Sequence, residues 1–261
     1  MESINTKITH LLTNGYELQF ENVFNKAFEN YKKIALYAGL AILVFGFISM
    51  VLAAVGLISF VGVEHLNENT IKQLESKMLK QEYLGYQFIF VLAINSVFSP
   101  ISAGFLTMAN AAHKDVEFKM RHFFSFYQLS YFKELFVATF IITLISSGID
   151  STLTHFKVPV VGGIISFGIG ILTVLSTPLI IFGKQKALGA IQSSIRLTSS
   201  KFLTLFLLLF VAFLGSLVGL IGFCIGVLFT IPFNMSMQYA IYDSIIGFEN
   251  NDAIVIDSEE N

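Results

Sequence analysis

Apolar runs without a single charged residue alternate along the chain with short polar segments. A helix needs roughly 20 apolar residues to cross a hydrocarbon core about 30 Å thick. Most of the runs reach this length, and the run at 202–242 is long enough for two helices. The run at 135–149 is the weakest, because it is shorter and is followed by Asp150. The pattern predicts an all-α, polytopic membrane bundle with six transmembrane helices, at about residues 34–60, 84–110, 134–150, 158–183, 202–220 and 223–245.

An amphipathic segment precedes each pair of predicted spans. Before the first span, apolar residues with helical spacing form one stripe: Phe20, Phe24, Ala27, Phe28 and Tyr31. The stripe recurs 100 residues later at Met120, Phe124, Tyr127 and Tyr131, and more weakly after 167 residues at Ala187, Ile191, Ser194, Ile195 and Thr198. The second span of each pair contains a helix-breaking proline: Pro100, Pro178 or Pro232. We therefore predict three parallel repeats of amphipathic helix plus transmembrane hairpin. The amphipathic segments either lie in the membrane interface or pack on the bundle.

Basic residues in the loops predict the orientation of the spans, since Lys and Arg are enriched on the cytoplasmic side. The N-terminal segment and the loops at 113–133 and 184–201 share one side and hold 12 of the 16 basic residues. Both termini are therefore predicted to be cytoplasmic, with an amphipathic segment at 1–33, the transmembrane domain at 34–246 and an acidic tail at 247–261. Four lysines at the span entrances are predicted interfacial anchors: Lys32, Lys33, Lys133 and Lys201.

Composition agrees with a membrane protein. Hydrophobic residues make up 54% of the 261 residues and charged residues 13%, against about 25% charged in ordinary soluble domains. The net charge of −2 provides no basic field for nucleic acid, so we predict no nucleic-acid partner. The single cysteine, Cys224, excludes an internal disulfide and a cysteine-cluster metal site.

The predicted spans contain few residues that could catalyse a reaction or bind a cofactor or metal. The apolar runs within them contain no charged residue, and no nucleophile has a visible base, so we predict no catalytic, cofactor-binding or metal-binding residues and no enzymatic activity. Candidate helix-interface or cavity contacts are the polar residues Asn95, Asn234, Gln238 and Asp243. Candidate close-packing positions for the last two spans are Gly215, Gly219, Gly222 and Gly226.

The segment at 187–202, which reads ALGAIQSSIRLTSSKF, leads into an apolar hairpin with Ile231, Pro232 and Phe233. This pattern resembles an uncharacterised family of bacterial six-span membrane proteins, similar to the membrane domain fused to some glycerophosphodiester phosphodiesterases. The resemblance implies a helical protein of the bacterial inner membrane. The phosphodiester-cleaving domain has no counterpart in this chain.

Two functions follow as hypotheses from the bare core and the small-residue packing faces. The preferred one is a non-enzymatic accessory or scaffold subunit of a membrane protein assembly, in export or envelope biogenesis. Its partners would be membrane lipids and other integral membrane proteins. The alternative is an uncoupled transporter or a lipid-binding membrane protein that uses a cavity between the repeats, with the proline-broken helices as moving parts.

Overall fold

The fold is helical throughout the part of the chain that the structure describes. In this computed structural model that part comprises residues 4–61, 72, 84–118, 120–221 and 225–248. Predictions for Gly222 and for the tail after Phe248 lie outside it. The helices are α1 (Ile4–Asn14), α2 (Phe20–Val61), α3 (Leu84–His113), α4 (Leu129–His155), α5 (Pro159–Thr173), α6 (Ser176–Ile181), α7 (Ala187–Ser200), α8 (Phe202–Ile221) and α9 (Ile225–Ile245).

Several helices are long and apolar enough to cross a membrane. Four stretches qualify by length and composition: Phe20–Val51, Gly85–His113, Leu129–His155 and Pro159–Ile181. A fifth is reached if α7 and α8, which meet at 100°, are taken as one bent span. The predicted all-α class is therefore confirmed, and the helices are consistent with a membrane-embedded protein. The count of six spans and the threefold repeat stay predictions.

Helix α2 differs from the predicted division between an amphipathic segment and a span. It runs without a break for 42 residues, and the lysines near position 33 do not interrupt it. The buried face comprises Val23, Ala27, Asn30, Ile34, Ala38 and Ala41. Of the predicted stripe, only Ala27 belongs to this face. Phe20, Phe24 and Phe28 stack on one another along the helix, and Phe20 and Phe28 are exposed.

The second predicted amphipathic helix is not an α-helix. Met120–Phe123 and Ser125–Tyr127 form two 3-10 turns, and α4 begins at Leu129. The aromatic residues that enter the core are Phe123 and Phe126, neither of which belongs to the predicted stripe. Gly104 allows this packing, since a Cβ at that position would lie 2.5 Å from Cδ1 of Phe123.

The third predicted amphipathic segment does form a helix, α7. Of the predicted stripe, Ala187, Ser194 and Thr198 are buried, Ile191 is half-buried and Ile195 is exposed. Helix α1 packs against α7, and the Tyr16 hydroxyl donates a hydrogen bond of 2.6 Å to the Leu197 carbonyl. Burial raises the pKa of the Tyr16 hydroxyl, and a side-chain hydrogen bond with Ser200 lowers it by a smaller amount.

The weakest predicted span has different bounds in the structure, where it is helix α4. It extends from Leu129 to His155, beyond the predicted 134–150 at both ends, so that Asp150 lies within the helix and does not end it. Helices α4 and α5 form a tight hairpin with Lys157 at a positive φ of 62° in the turn. At Gly162 of α5 an added Cβ would lie 3.2 Å from Cα of Asp150, so a larger residue there would press on α4.

Helix α9 is the centre of the bundle. It packs most extensively against α2 and α8, and also against α3. Phe233 of α9 makes edge contacts with the rings of Phe24 and Tyr31, at centroid distances of 5.9 and 5.5 Å. The other side of Phe233 faces Gly215 of α8, where an added Cβ would lie 3.4 Å from Cδ1 of the ring. The predicted close packing at Gly215 therefore involves α9, while Gly219 and Gly226 lie in α8 and α9.

Candidate functional site

The break between α5 and α6 is caused by Pro178 and is closed by a side chain of α9. Proline has no amide hydrogen, so Pro178 leaves the carbonyl four residues earlier, at Val174, without its helical partner. The amide of Gln238 donates a hydrogen bond of 2.6 Å to that carbonyl. The residue predicted as an interface or cavity contact therefore replaces a missing backbone donor in the fold.

Helix α7 satisfies two further backbone groups of the same break. The Ser194 and Thr198 hydroxyls donate to the Leu172 carbonyl at 2.8 and 3.0 Å. The Leu175 amide donates to Ser194 Oγ at 3.1 Å. These bonds join the break to α7 and α9, so the proline-broken helix is held by its neighbours.

The other predicted polar contacts are separate from this break. Asn95 is exposed, and its amide bonds the Val91 carbonyl of its own helix at 2.9 Å. Asn234 bonds the Ser216 hydroxyl across the α8–α9 interface. Asn95, Asn234 and Gln238 therefore do not form one shared site.

Pro100 also has a local solution to its missing hydrogen bond. The carbonyl that it leaves unpaired belongs to Ser96. The Ser99 hydroxyl donates to this carbonyl at 2.8 Å, which allows α3 to continue through the proline. Pro232 likewise lies inside α9, so the predicted helix breaks at Pro100 and Pro232 are wrong.

A partly buried polar cluster joins one end of α2, α3 and α9. Asp243, with a side chain only 10% exposed, pairs with Lys26 Nζ at 2.7 Å and lies 3.6 Å from His113 Nδ1. The Tyr239 hydroxyl lies 2.9 Å from His113 Nδ1 and donates to Asn110 Oδ1 at 3.1 Å. We call these five residues the polar cluster. Its hydrogen bonds and ion pair fix the relative positions of the three helices.

Sequence reasoning found Asp243 but missed its partners. A signal was present, because Tyr239 and Asp243 are four residues apart on α9, and Asn110 and His113 are three apart on α3. Nothing in one sequence, however, indicates that these two helix faces meet Lys26 of α2.

The predicted anchor lysines have different environments. Lys32 pairs with Glu29 at 2.6 Å and lies over the Phe28 ring. Lys33 pairs with Asp115 at 2.5 Å and also donates to the Ala112 carbonyl at 3.1 Å. Lys133 is exposed, and Lys201 forms the turn between α7 and α8.

A cleft of about 660 Å³ lies between α2 and the C-terminal end of α3, bounded by the segment that follows α3. This volume lies in the range of roughly 300–1,000 Å³ that is typical of small-molecule sites. Its charged lining residues are Lys33, Asp115 and Glu117, and the ion pair between the first two lies at one end of the α2 wall. The rest of that wall is apolar: Ile34, Tyr37, Leu40, Ala41 and Val44.

The cleft and the polar cluster are the two candidate functional features of the bundle. Within the part of the chain that the structure describes, no group of three or more His, Cys, Asp or Glu side chains could hold a metal ion. Comparisons with protein-family models, curated proteins and solved structures found no match. The described part of the chain is a helical bundle with apolar helices long enough to span a membrane.

Proposed function

We propose that this chain is a multi-pass integral membrane protein that binds a membrane lipid in the cleft between α2 and α3 without changing the lipid chemically. The observation that carries the proposal is the gradient along the cleft, from the ion pair of Lys33 and Asp115 to the apolar side chains of Leu40 and Val44. A lipid has the same order of chemistry, with a polar headgroup followed by hydrocarbon.

The dimensions of the cleft suit one leaflet. Lys33 and Val44 are 11 positions apart on α2, so they are separated by about 16 Å along the helix axis at 1.5 Å per residue. Half of a hydrocarbon core is about 15 Å thick. With Lys33 at the headgroup level, as an interfacial anchor, the apolar wall would extend close to the middle of the bilayer.

The topology that goes with this function is six spans with both termini in the cytoplasm of a bacterial cell, in its inner membrane. The 12-to-4 division of basic residues supports the orientation. Helices α8 and α9, with 20 and 21 residues, are near the length of a span. The 100° angle between α7 and α8 supports an interfacial position for α7, since a helix perpendicular to a span lies along the membrane surface.

Tryptophan fluorescence can test lipid binding, because the chain contains no tryptophan. Leu40→Trp places the fluorophore in the cleft, and Leu207→Trp places it on α8 as a control. The two wild-type side chains have similar exposure, 53% for Leu40 and 44% for Leu207. A phospholipid mixture with brominated chains is titrated into the delipidated protein in detergent. We expect saturable, one-site quenching at Leu40→Trp and gradual, non-saturating quenching at Leu207→Trp. Indistinguishable curves for the two variants would contradict the proposal.

An accessory or scaffold subunit of an export or envelope assembly is the second candidate. It is supported by the inner polar side chains: Gln238, Ser194 and Thr198 donate hydrogen bonds to backbone carbonyls of the bundle itself. The outer faces of the helices are therefore the surfaces left to contact a partner. Purification in mild detergent with quantitative mass spectrometry tests it. A partner at constant stoichiometry is expected, and a chain that purifies alone as a monomer would exclude it.

A further inference from the structure

Among the lining residues that the structure describes, the charges of the cleft are unequal in number. Lys33 provides one ammonium group, and Asp115 and Glu117 provide two carboxylates, of which Asp115 pairs with Lys33. The Lys33 ammonium is fixed by Asp115 at 2.5 Å and by the Ala112 carbonyl at 3.1 Å. A ligand that entered with a phosphate alone would bring a further negative charge next to both carboxylates.

The end of α3 adds to the negative potential. Ala112 and His113 form the last turn of this 30-residue helix, where the helix dipole has its negative end. Asp115 lies two residues beyond His113, after Lys114, in a left-handed turn with φ of 53°, a conformation that Asp and Asn tolerate better than most residues. The fold therefore places a helix carboxyl end and a carboxylate at the same point of the cleft, which favours a cation there.

We infer that the cleft selects a zwitterionic phospholipid with a primary amine, of the phosphatidylethanolamine type. Its phosphate would pair with Lys33, and its ammonium would donate charge-assisted hydrogen bonds to Asp115 and Glu117. A quaternary amine has no N–H to donate, and a glycerol headgroup has no positive charge. This inference rests on the proposed lipid-binding function and assigns the headgroup class.

Headgroup-specific titrations of Leu40→Trp test the selection. Brominated phosphatidylethanolamine, phosphatidylcholine and phosphatidylglycerol are titrated separately into the protein in detergent. We expect phosphatidylethanolamine to bind about fivefold more tightly than phosphatidylglycerol, a ratio that corresponds to about 1 kcal/mol. Saturable binding with equal affinities, or with phosphatidylglycerol or phosphatidylcholine preferred, would overturn the headgroup assignment and leave lipid binding intact. Absence of saturable binding for all three would overturn both.

Matched variants separate the roles of the charges. Asp115→Asn combined with Glu117→Gln should abolish the preference, and the asparagine keeps a residue that tolerates the left-handed turn. Lys33→Gln should weaken binding of phosphatidylethanolamine severalfold. Lys32→Gln is the control, because its lysine is equally solvent-accessible, at 51% against 46% for Lys33, but does not line the cleft. An effect of Lys32→Gln as large as that of Lys33→Gln would show that general surface charge, and not the cleft, binds the headgroup.

Discussion

The hydrogen bond from Gln238 to the Val174 carbonyl can be tested by a double-mutant cycle with Pro178. Gln238→Leu keeps the size of the side chain and removes the donor, so the carbonyl that Pro178 leaves unpaired loses its partner. An unsatisfied buried polar group costs about 1–3 kcal/mol, and interhelical hydrogen bonds in one well-studied membrane protein averaged about 0.6 and reached about 1.7 kcal/mol. Because both groups are only partly buried, we expect a loss of about 1–2 kcal/mol.

Pro178→Ala restores an amide at the position from which a helix would normally donate to Val174. In the Pro178→Ala background, Gln238→Leu should lower the free energy of unfolding by less than about 0.5 kcal/mol. The cycle also removes any separate cost of straightening the break. Free energies of unfolding are measured by titration with sodium dodecyl sulfate in mixed micelles. If Gln238→Leu costs the same with and without Pro178, the side chain does not replace the missing backbone donor, and our account of the break is wrong.

Three further predictions use the same stability assay. Gly162→Ala should destabilise the hairpin by about 1–3 kcal/mol, because its Cβ would clash with Asp150 of α4. Gly163→Ala is the control and should be neutral or stabilising, because the space around its Cβ is open. Equal effects of the two substitutions would contradict this prediction. Tyr239→Phe should cost about 1–2 kcal/mol, since it removes the hydroxyl at the centre of the polar cluster, and no loss would show that the cluster is dispensable. Burial raises the pKa of Tyr16, so its contribution is complete below about pH 10 and is lost as the pH rises further, when the unfolded chain ionises first. Tyr16→Phe should therefore flatten the fall in stability between pH 9 and pH 11, and a slope equal to that of the wild type would refute the assignment.

The helical class could be predicted from the sequence because it depends only on the length and apolar character of the runs. Boundaries were predicted less well. The charge of Lys33 does not end helix α2, since a lysine is a good helix former. Between α3 and α4, aromatic residues at adjacent positions offer two possible faces. The structure buries Phe123 and Phe126, while periodicity favoured the face of Phe124 and Tyr127.

The break in the fourth predicted span was foreseen at Pro178, but its partners were not. Proline acts on the carbonyl four residues before it, which is a local effect and can be read from the sequence. Gln238 is separated from Val174 by 64 positions, so their contact depends on how α9 enters the bundle. The cleft depends in the same way on the meeting of Lys33 and Asp115, which are 82 positions apart.

The unbroken course of α2 has a mechanical consequence. Its 42 residues form a rod about 63 Å long, roughly twice the thickness of the hydrocarbon core. A tilt of about 10° around one end would displace the other by about 11 Å, at 1.5 Å of rise per residue. The α2 wall of the cleft and Lys26 of the polar cluster both lie on this one helix. Occupancy of the cleft that changes the tilt of α2 would therefore pull directly on the ion pair between Lys26 and Asp243.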